Sequence, residues 1–307
     1  MNGAAESVAR RSWRTTFRLT VLLALGGLGA GTALAAEKLE LPPLTTVTKD
    51  RLPGKFVWAD LVTDDVVAAR KFYALLFGWT FRDVGNYSIA ANDERPLAGM
   101  FQRPRPANGE AKPRWFGYVS VKSVSRAQDA VTQAGGKVVA APQKLPRRGE
   151  QAVFTDPEGA VFGVIRSQGG DQMDFRPDIG DWVWIQLLSR DGKKAAEFYQ
   201  KLADYEIVEN TQTNRMSDYV LTSKGFARAT VRTIPAGNEQ VPPSWLLFVR
   251  VKSVTESVAK AKELGGKVWL EPNAELFQGK IAVVADPTGG AIGLLELDEA
   301  QLEGGKQ

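Results

Sequence analysis

The feature that most constrains this chain is that it says the same thing twice. Phe56–Trp79 reads FVWADLVTDDVVAARKFYALLFGW, and Trp182–Tyr205 reads WVWIQLLSRDGKKAAEFYQKLADY. Trp58 falls on Trp184, Asp65 on Asp191, and Phe72-Tyr73 on Phe198-Tyr199, all at an offset of 126. Further along, Trp115 falls on Trp245, Val121-Lys-Ser-Val124 on Val251-Lys-Ser-Val254, Gly135-Gly136 on Gly265-Gly266, and Asp156-Pro157 on Asp286-Pro287. These pairs share an offset of 130, so a four-residue insertion lies between the two registers. One structural unit therefore occurs twice in a chain of 307 residues, long enough for two domains with cores of their own.

Each copy opens on a strand. Phe56, Trp58, Asp60 and Val62 alternate with Val57, Ala59, Leu61 and Thr63. Val66, Ala69, Tyr73 and Leu76 then fall on one helical stripe, with Asp64-Asp65 at its start and Gly78 placed to cap its end. Short strands are expected at Thr80–Val84, Tyr87–Ala91 and Leu97–Gln102. A second strand opens at Trp115, followed by a helix capped by Ser123 and ended by Gly135-Gly136. Strands near Lys137–Ala140, Ala152–Thr155 and Ala160–Arg166 complete the unit. The pattern is strand-helix-strand-strand-strand, twice per unit.

Around these units the reading gives 1–35 as a signal peptide, 36–54 as a tether and 55–166 as the first domain. A linker at 167–180, the second domain at 181–297 and a charged tail at 298–307 follow. The leader carries Arg10, Arg11, Arg14 and Arg18, then an uncharged run from Leu19 to Ala35 ending Ala33-Leu34-Ala35. Its apolar run barely reaches the roughly 18 residues a membrane span requires, and four glycines dilute it. Cleavage after Ala35 would leave an extracytoplasmic protein, periplasmic or secreted, without an integral span; an uncleaved anchor is the alternative. Arg10-Arg11 leaves twin-arginine export open beside the general route.

Removing the leader takes four basic residues and Glu6 from the 39 basic and 35 acidic residues, leaving 35 against 34. A nearly neutral mature chain has no positive field with which to attract nucleic acid. Cysteine and histidine are both absent. That removes disulfides, thiolate metal sites, the usual general base and the commonest metal ligand.

The order of strand, Asp, FY and FGW, then V-x-S-V, Gly-Gly and DPxG, resembles the vicinal oxygen chelate superfamily. This group includes glyoxalase I, extradiol dioxygenases and bleomycin-resistance proteins, and the tandem glyoxalase/bleomycin-resistance type is the most similar. The resemblance covers Phe56 to Leu297. It implies an α+β fold of two tandem glyoxalase-like units, each of two βαβββ modules, with curved mixed sheets cupping a cavity and helices on the outer face. It also assigns metal-ligand positions, and here these hold Trp58 and Trp184, Gly163 and Gly293, Phe116 and Leu246, and the stretches Ala98–Met100 and Ala227–Val231. No metal and no other cofactor is expected, and each glycine is expected to make room for an indole.

What remains is a Trp-lined hollow. Alternation places Asp60 and Gln186 beside Trp58 and Trp184, with Phe116, Tyr118, Phe248 and Arg250 also inward. Asp60 is the catalytic candidate: near indoles it could pair with a cationic ligand or accept a proton. Its alternative is a structural ion pair, for instance with Arg250. Lys144, Arg147 and Arg148 read as a solvated basic loop. The leading expectation is a non-enzymatic protein binding a small apolar or aromatic molecule, by sequestration or sensing. A metal-independent lyase or isomerase, a dioxygenase-related enzyme with displaced ligands, and an interaction protein with filled cavities are the alternatives. The pseudo-symmetric chain is expected to act as a monomer or a homodimer.

Overall fold

A computed structural model describes residues 41, 43–44, 49–103, 112–210 and 217–298. The leader and the last nine residues lie outside it. The first unit runs β1 (Phe56–Thr63), α1 (Val66–Phe77), β2 (Thr80–Val84), β3 (Tyr87–Asn92), β4 (Arg95–Gln102), β5 (Arg114–Ser120), α2 (Val124–Gln133), β6 (Lys137–Leu145), β7 (Gly149–Thr155) and β8 (Val161–Ser167). The second repeats it with β9 (Trp182–Ser189), α3 (Gly192–Ala203), β10 (Glu206–Glu209), β11 (Tyr219–Ser223), β12 (Phe226–Thr233), β13 (Ser244–Val251), α4 (Val254–Glu263), β14 (Lys267–Leu270), β15 (Ile281–Ala285) and β16 (Ala291–Glu296). Asp65, Ser123, Asp191 and Ser253 each cap a helix by accepting a backbone N–H with the side chain. Gly78 closes α1 in the left-handed conformation, φ 77°.

Each unit is one mixed eight-stranded sheet, in the order β2-β3-β4-β1-β5-β8-β7-β6 and its counterpart β10-β11-β12-β9-β13-β16-β15-β14. The opening strands of the two modules pair antiparallel at the centre, β1 with β5 and β9 with β13. Helices cover one face of each sheet. Those helix-bearing faces meet, so Leu61, Phe72, Trp115, Leu187, Phe198 and Trp245 belong to a single core shared by both units. The opposite, helix-free face of each sheet carries a smaller apolar cluster of its own. No helix of the described residues is long and apolar enough to cross a membrane.

The seam between the units is stitched reciprocally. Asp286 uses Oδ1 to accept the N–H groups of Thr288, Gly289 and Gly290 in its own turn, and Oδ2 to accept the Tyr73 hydroxyl of the other unit at 2.8 Å. Asp156 does the same: Oδ1 accepts the Glu158 and Ala160 N–H groups, and Oδ2 accepts the Tyr199 hydroxyl at 3.1 Å. Each phenol in turn accepts an indole N–H, Tyr73 from Trp115 and Tyr199 from Trp245. A second reciprocal pair runs from Trp79 to the Gly180 carbonyl and from Tyr205 to the Gly54 carbonyl. Burial drives the Tyr73 and Tyr199 phenols well above their usual range, and the neighbouring carboxylates push the same way.

Within the stretch expected to be a tether, Leu41 and Leu44 are buried in the helix-free cluster of the first unit. Gln172 donates to the Leu44 carbonyl, and Leu52 donates its N–H to Asp171. Two leucines three residues apart can fill a concave surface without forming a periodic element, which is why periodicity alone does not reveal them. Removing one seam hydroxyl leaves a buried carboxylate oxygen and an indole N–H to find new partners. Tyr73→Phe and Tyr199→Phe should therefore each cost about 1–3 kcal/mol, read as a lower urea midpoint; an unchanged midpoint would contradict this account of the seam.

Candidate functional site

The helix-free face of the first unit is built on β1. Trp58 and Asp60 lie side by side on it, and the indole Nε1 donates to Asp60 Oδ1 at 2.9 Å. Strand pairing sets Asp60 opposite Phe116 on β5 and Gly99 on β4, and Trp58 opposite Tyr118. From β3, Tyr87 donates its hydroxyl to Asp60, and Tyr118 hydrogen-bonds the same carboxylate. The charged neighbour is Arg148, whose guanidinium stacks 4.4 Å from the Trp58 ring centroid. Burial pushes the Asp60 carboxyl above its usual range, while Arg148 and the three donors pull the other way. Leu41 and Leu44 belong to the same cluster. Trp58 and Asp60 are each only 4% exposed, so this cup is filled by the protein's own side chains.

Arg148 corrects the expectation of a solvated basic loop. Lys144 and Arg147 are exposed, but Arg148 is buried. The turn between β6 and β7 takes left-handed backbone at Arg147, φ 65°, and positive φ at Gly149, 121°. These two residues fold the guanidinium inward between them. Arg250 is likewise not the partner of Asp60; it donates to the carbonyls of Pro177 and Leu297. Nor do the glycines make room for indoles. A methyl at Gly163 would lie 2.2 Å from the Tyr118 ring, and one at Gly293 the same distance from the Phe248 ring. Each glycine accommodates the aromatic on the neighbouring strand instead.

The second unit has the same frame and a different interior. Trp184 occupies the place of Trp58, but its Nε1 donates to Thr230 at 2.9 Å, and Gln186 Nε2 reaches the same hydroxyl at 3.3 Å. By strand register, Thr230 stands where the first unit has Gly99, and Leu246 and Phe248 stand where it has Phe116 and Tyr118. Trp184 is only partly buried. Among the described residues, no three acidic side chains converge as a metal-holding group.

A cavity of about 220 Å³ lies at the seam, between the starts of β1 and β9. Its walls include Phe56, Trp58, Leu97, Trp182, Trp184 and Leu247, and the linker contributes Asp174, Phe175 and Pro177. Lys55, Arg95, Arg228 and Asp181 add charge. The linker residues and Arg228 were absent from the sequence-based candidates. The proximity of Asp174 to Arg228 depends on how two sheets pack, and no local pattern encodes it.

A family model described as the glyoxalase/bleomycin resistance protein/dioxygenase superfamily matches residues 55–164, and a glyoxalase-like domain matches residues 182–295. The chain belongs to this superfamily. The protein named anthracycline biosynthesis protein DauV, from a Streptomyces species, is 30% identical over 264 residues, covering 81% of this chain and 95% of that protein. The putative glyoxylase CFP32 of Mycobacterium bovis is 28% identical over 245 residues, covering 78% and 93%. Among solved structures, the Mn(II)-bound glyoxalase from Novosphingobium aromaticivorans aligns with a TM-score of 0.50 at 15% identity, over 80% of this chain and 82% of that one. The 2,3-dioxygenase LapB from a Pseudomonas species aligns at 0.51 and 11%, over 80% and 93%. These structures share the fold with this superfamily member.

The close fit at Gly163 carries a direct test. Gly163→Ala forces a methyl into the Tyr118 ring and should lower stability by about 1–3 kcal/mol. Thermal unfolding measures it, and an unaltered transition would mean that Tyr118 does not pack as described.

Proposed function

We propose that this superfamily member binds a small, flat, aromatic molecule without a metal ion, in the seam cavity between its two units. The observation that carries the reading is the aromatic lining there, with Phe56, Trp58, Phe175, Trp182 and Trp184 around one hollow. At about 220 Å³ the cavity is smaller than the roughly 300–1,000 Å³ of drug-sized pockets. Its size suits one or two fused rings better than a large polycycle. The relatives named for anthracycline biosynthesis support an aromatic class of ligand, at a larger size than this cavity suits.

Metal independence is supported by the chemistry of the side chains at the superfamily's ligand positions. In the first unit an indole, a glycine and a phenylalanine stand there, and the carboxylate beside them, Asp60, already receives three donors and faces a guanidinium. A divalent cation would have to enter beside Arg148 and compete with it. The indole, glycine and leucine of the second unit are no better suited. The enclosure of Asp60 argues against its acting as a proton acceptor for a substrate, so sequestration or sensing is preferred to catalysis. The leader-like N-terminus supports placing the mature protein outside the cytoplasm.

Quenching of intrinsic tryptophan emission by 2-naphthalenemethanol tests the reading on the full chain. Saturable quenching at one probe per chain is expected. Trp184→Leu, which removes a stacking surface, should weaken binding about tenfold, or about 1.4 kcal/mol. Absence of saturable quenching, or full affinity in Trp184→Leu, would overturn the seam as the binding site.

A further inference from the structure

The walls of the seam cavity are rich in polar groups, yet those groups are engaged with one another. Trp58, Trp182 and Trp184 line it, and each donates its indole N–H within the protein. Trp58 Nε1 donates to Asp60 and Tyr87, Trp182 Nε1 to the Leu97 carbonyl at 3.0 Å, and Trp184 Nε1 to Thr230. What these indoles offer a ligand is ring surface.

The charged side chains are spent in the same way. Lys55 and Arg228 share Asp174: Lys55 Nζ lies 3.0 Å from Oδ1, while Arg228 sets Nη1 on Oδ1 at 2.6 Å and Nη2 on Oδ2 at 3.0 Å. Lys55 also donates to the Gln172 carbonyl. Arg95 takes two carboxylates, Asp178 at 3.3 Å and Asp181, and Asp181 further accepts the Asn92 amide and the Asp178 N–H. Lys55, Arg95 and Arg228 thus meet Asp174, Asp178 and Asp181, so the charges cancel. The cations are also covered. The side chains of Arg228 and Lys55 are only 6% and 13% exposed, and the rings of Phe226 and Phe175 lie 5.0 and 4.4 Å from the guanidinium carbons of Arg228 and Arg95.

A charge carried into this hollow gives up its water and meets counter-charges that are already paired, so it must break an existing pair or stay unpaired itself. An uncharged ring does neither and still stacks on the indoles. We infer that the seam cavity takes an uncharged aromatic molecule, and that Asp174 sets this preference by neutralising its cationic wall. This rests on the seam being the binding site and adds the charge of the ligand. Asp174 is held ionised for the role: burial pushes its carboxyl up, but hydrogen bonds from Arg228 and Lys55 outweigh burial and keep it below the usual carboxylate range. It also lies on the linker, outside any helix or strand, so its charge can be removed without replacing a residue of either sheet.

The test compares three probes with the same rings by calorimetry on the full chain near neutral pH: 2-naphthalenemethanol, which is uncharged, the anion 2-naphthoate and the cation 2-naphthylmethylammonium. The alcohol should bind wild type more tightly than either ion by about tenfold or more. Asp174→Asn strips Lys55 and Arg228 of their shared carboxylate, so in that variant the ratio of alcohol to naphthoate affinity should fall by about fivefold or more. The same substitution should not lower the ratio of alcohol to ammonium affinity. The wild-type comparison decides the ligand's charge by itself if the variant fails to fold. Binding of either ion to wild type as tightly as the alcohol would overturn this inference while leaving the aromatic site standing. An unchanged alcohol-to-naphthoate ratio in folded Asp174→Asn would overturn the role given to Asp174. Binding of none of the three probes would overturn the seam site itself, and this inference with it.

Discussion

The structure depends on one carboxylate doing two jobs, twice. In Asp156 and Asp286, Oδ1 closes a turn before the last strand of its own unit, and Oδ2 receives a phenol from the first helix of the other. Neither motif, the FY of the helix or the DPxG of the turn, is complete within its own unit. Burying a phenol and a carboxylate is tolerable only when each has a partner, so the two units must come together in one register for either to be satisfied. The indoles of Trp115 and Trp245 close the arrangement by donating to those same phenols. That is sufficient reason for helix-bearing faces, ordinarily the outside of such a sheet, to become a shared core.

With the seam fixed, the two helix-free faces are left to differ, and they do. The first holds a carboxylate and a guanidinium among indole, phenols and two leucines from the N-terminal segment. Taking such a pair out of water is costly, and it is borne here because three donors satisfy the carboxylate and an aromatic face receives the guanidinium. The second replaces the carboxylate with Gln186 and the glycine beside it with Thr230, so the place of Asp60 is polar without being charged. One frame thus carries a sealed interior and a milder one, and the cavity between them draws walls from both.

Much of this was legible in the sequence. The constant offsets announced the duplication, helix caps at Asp65 and Ser123 could be named from residue type, and alternation brought Trp58 and Asp60 onto one face. What could not be read depended on backbone conformation or on packing between distant segments. Arg148 looks like any loop arginine until Arg147 adopts left-handed backbone and turns it inward. Gly163 and Gly293 make room not for the indoles that the sequence suggests but for the Tyr118 and Phe248 rings on the neighbouring strands, a packing choice that no local pattern encodes. Leu41, Leu44 and Asp174 belong to segments without periodicity, and their roles appear only where those segments dock.

We propose that indole, phenol and guanidinium stand in this chain at the positions where the superfamily resemblance expects metal ligands. The most direct test is the metal content of the purified chain by inductively coupled plasma mass spectrometry, after exposure to manganese, iron, zinc and nickel and removal of excess. The account predicts far less than one metal ion per chain for each element. One equivalent of any of them, lost when Asp60 is replaced by Ala, would contradict it.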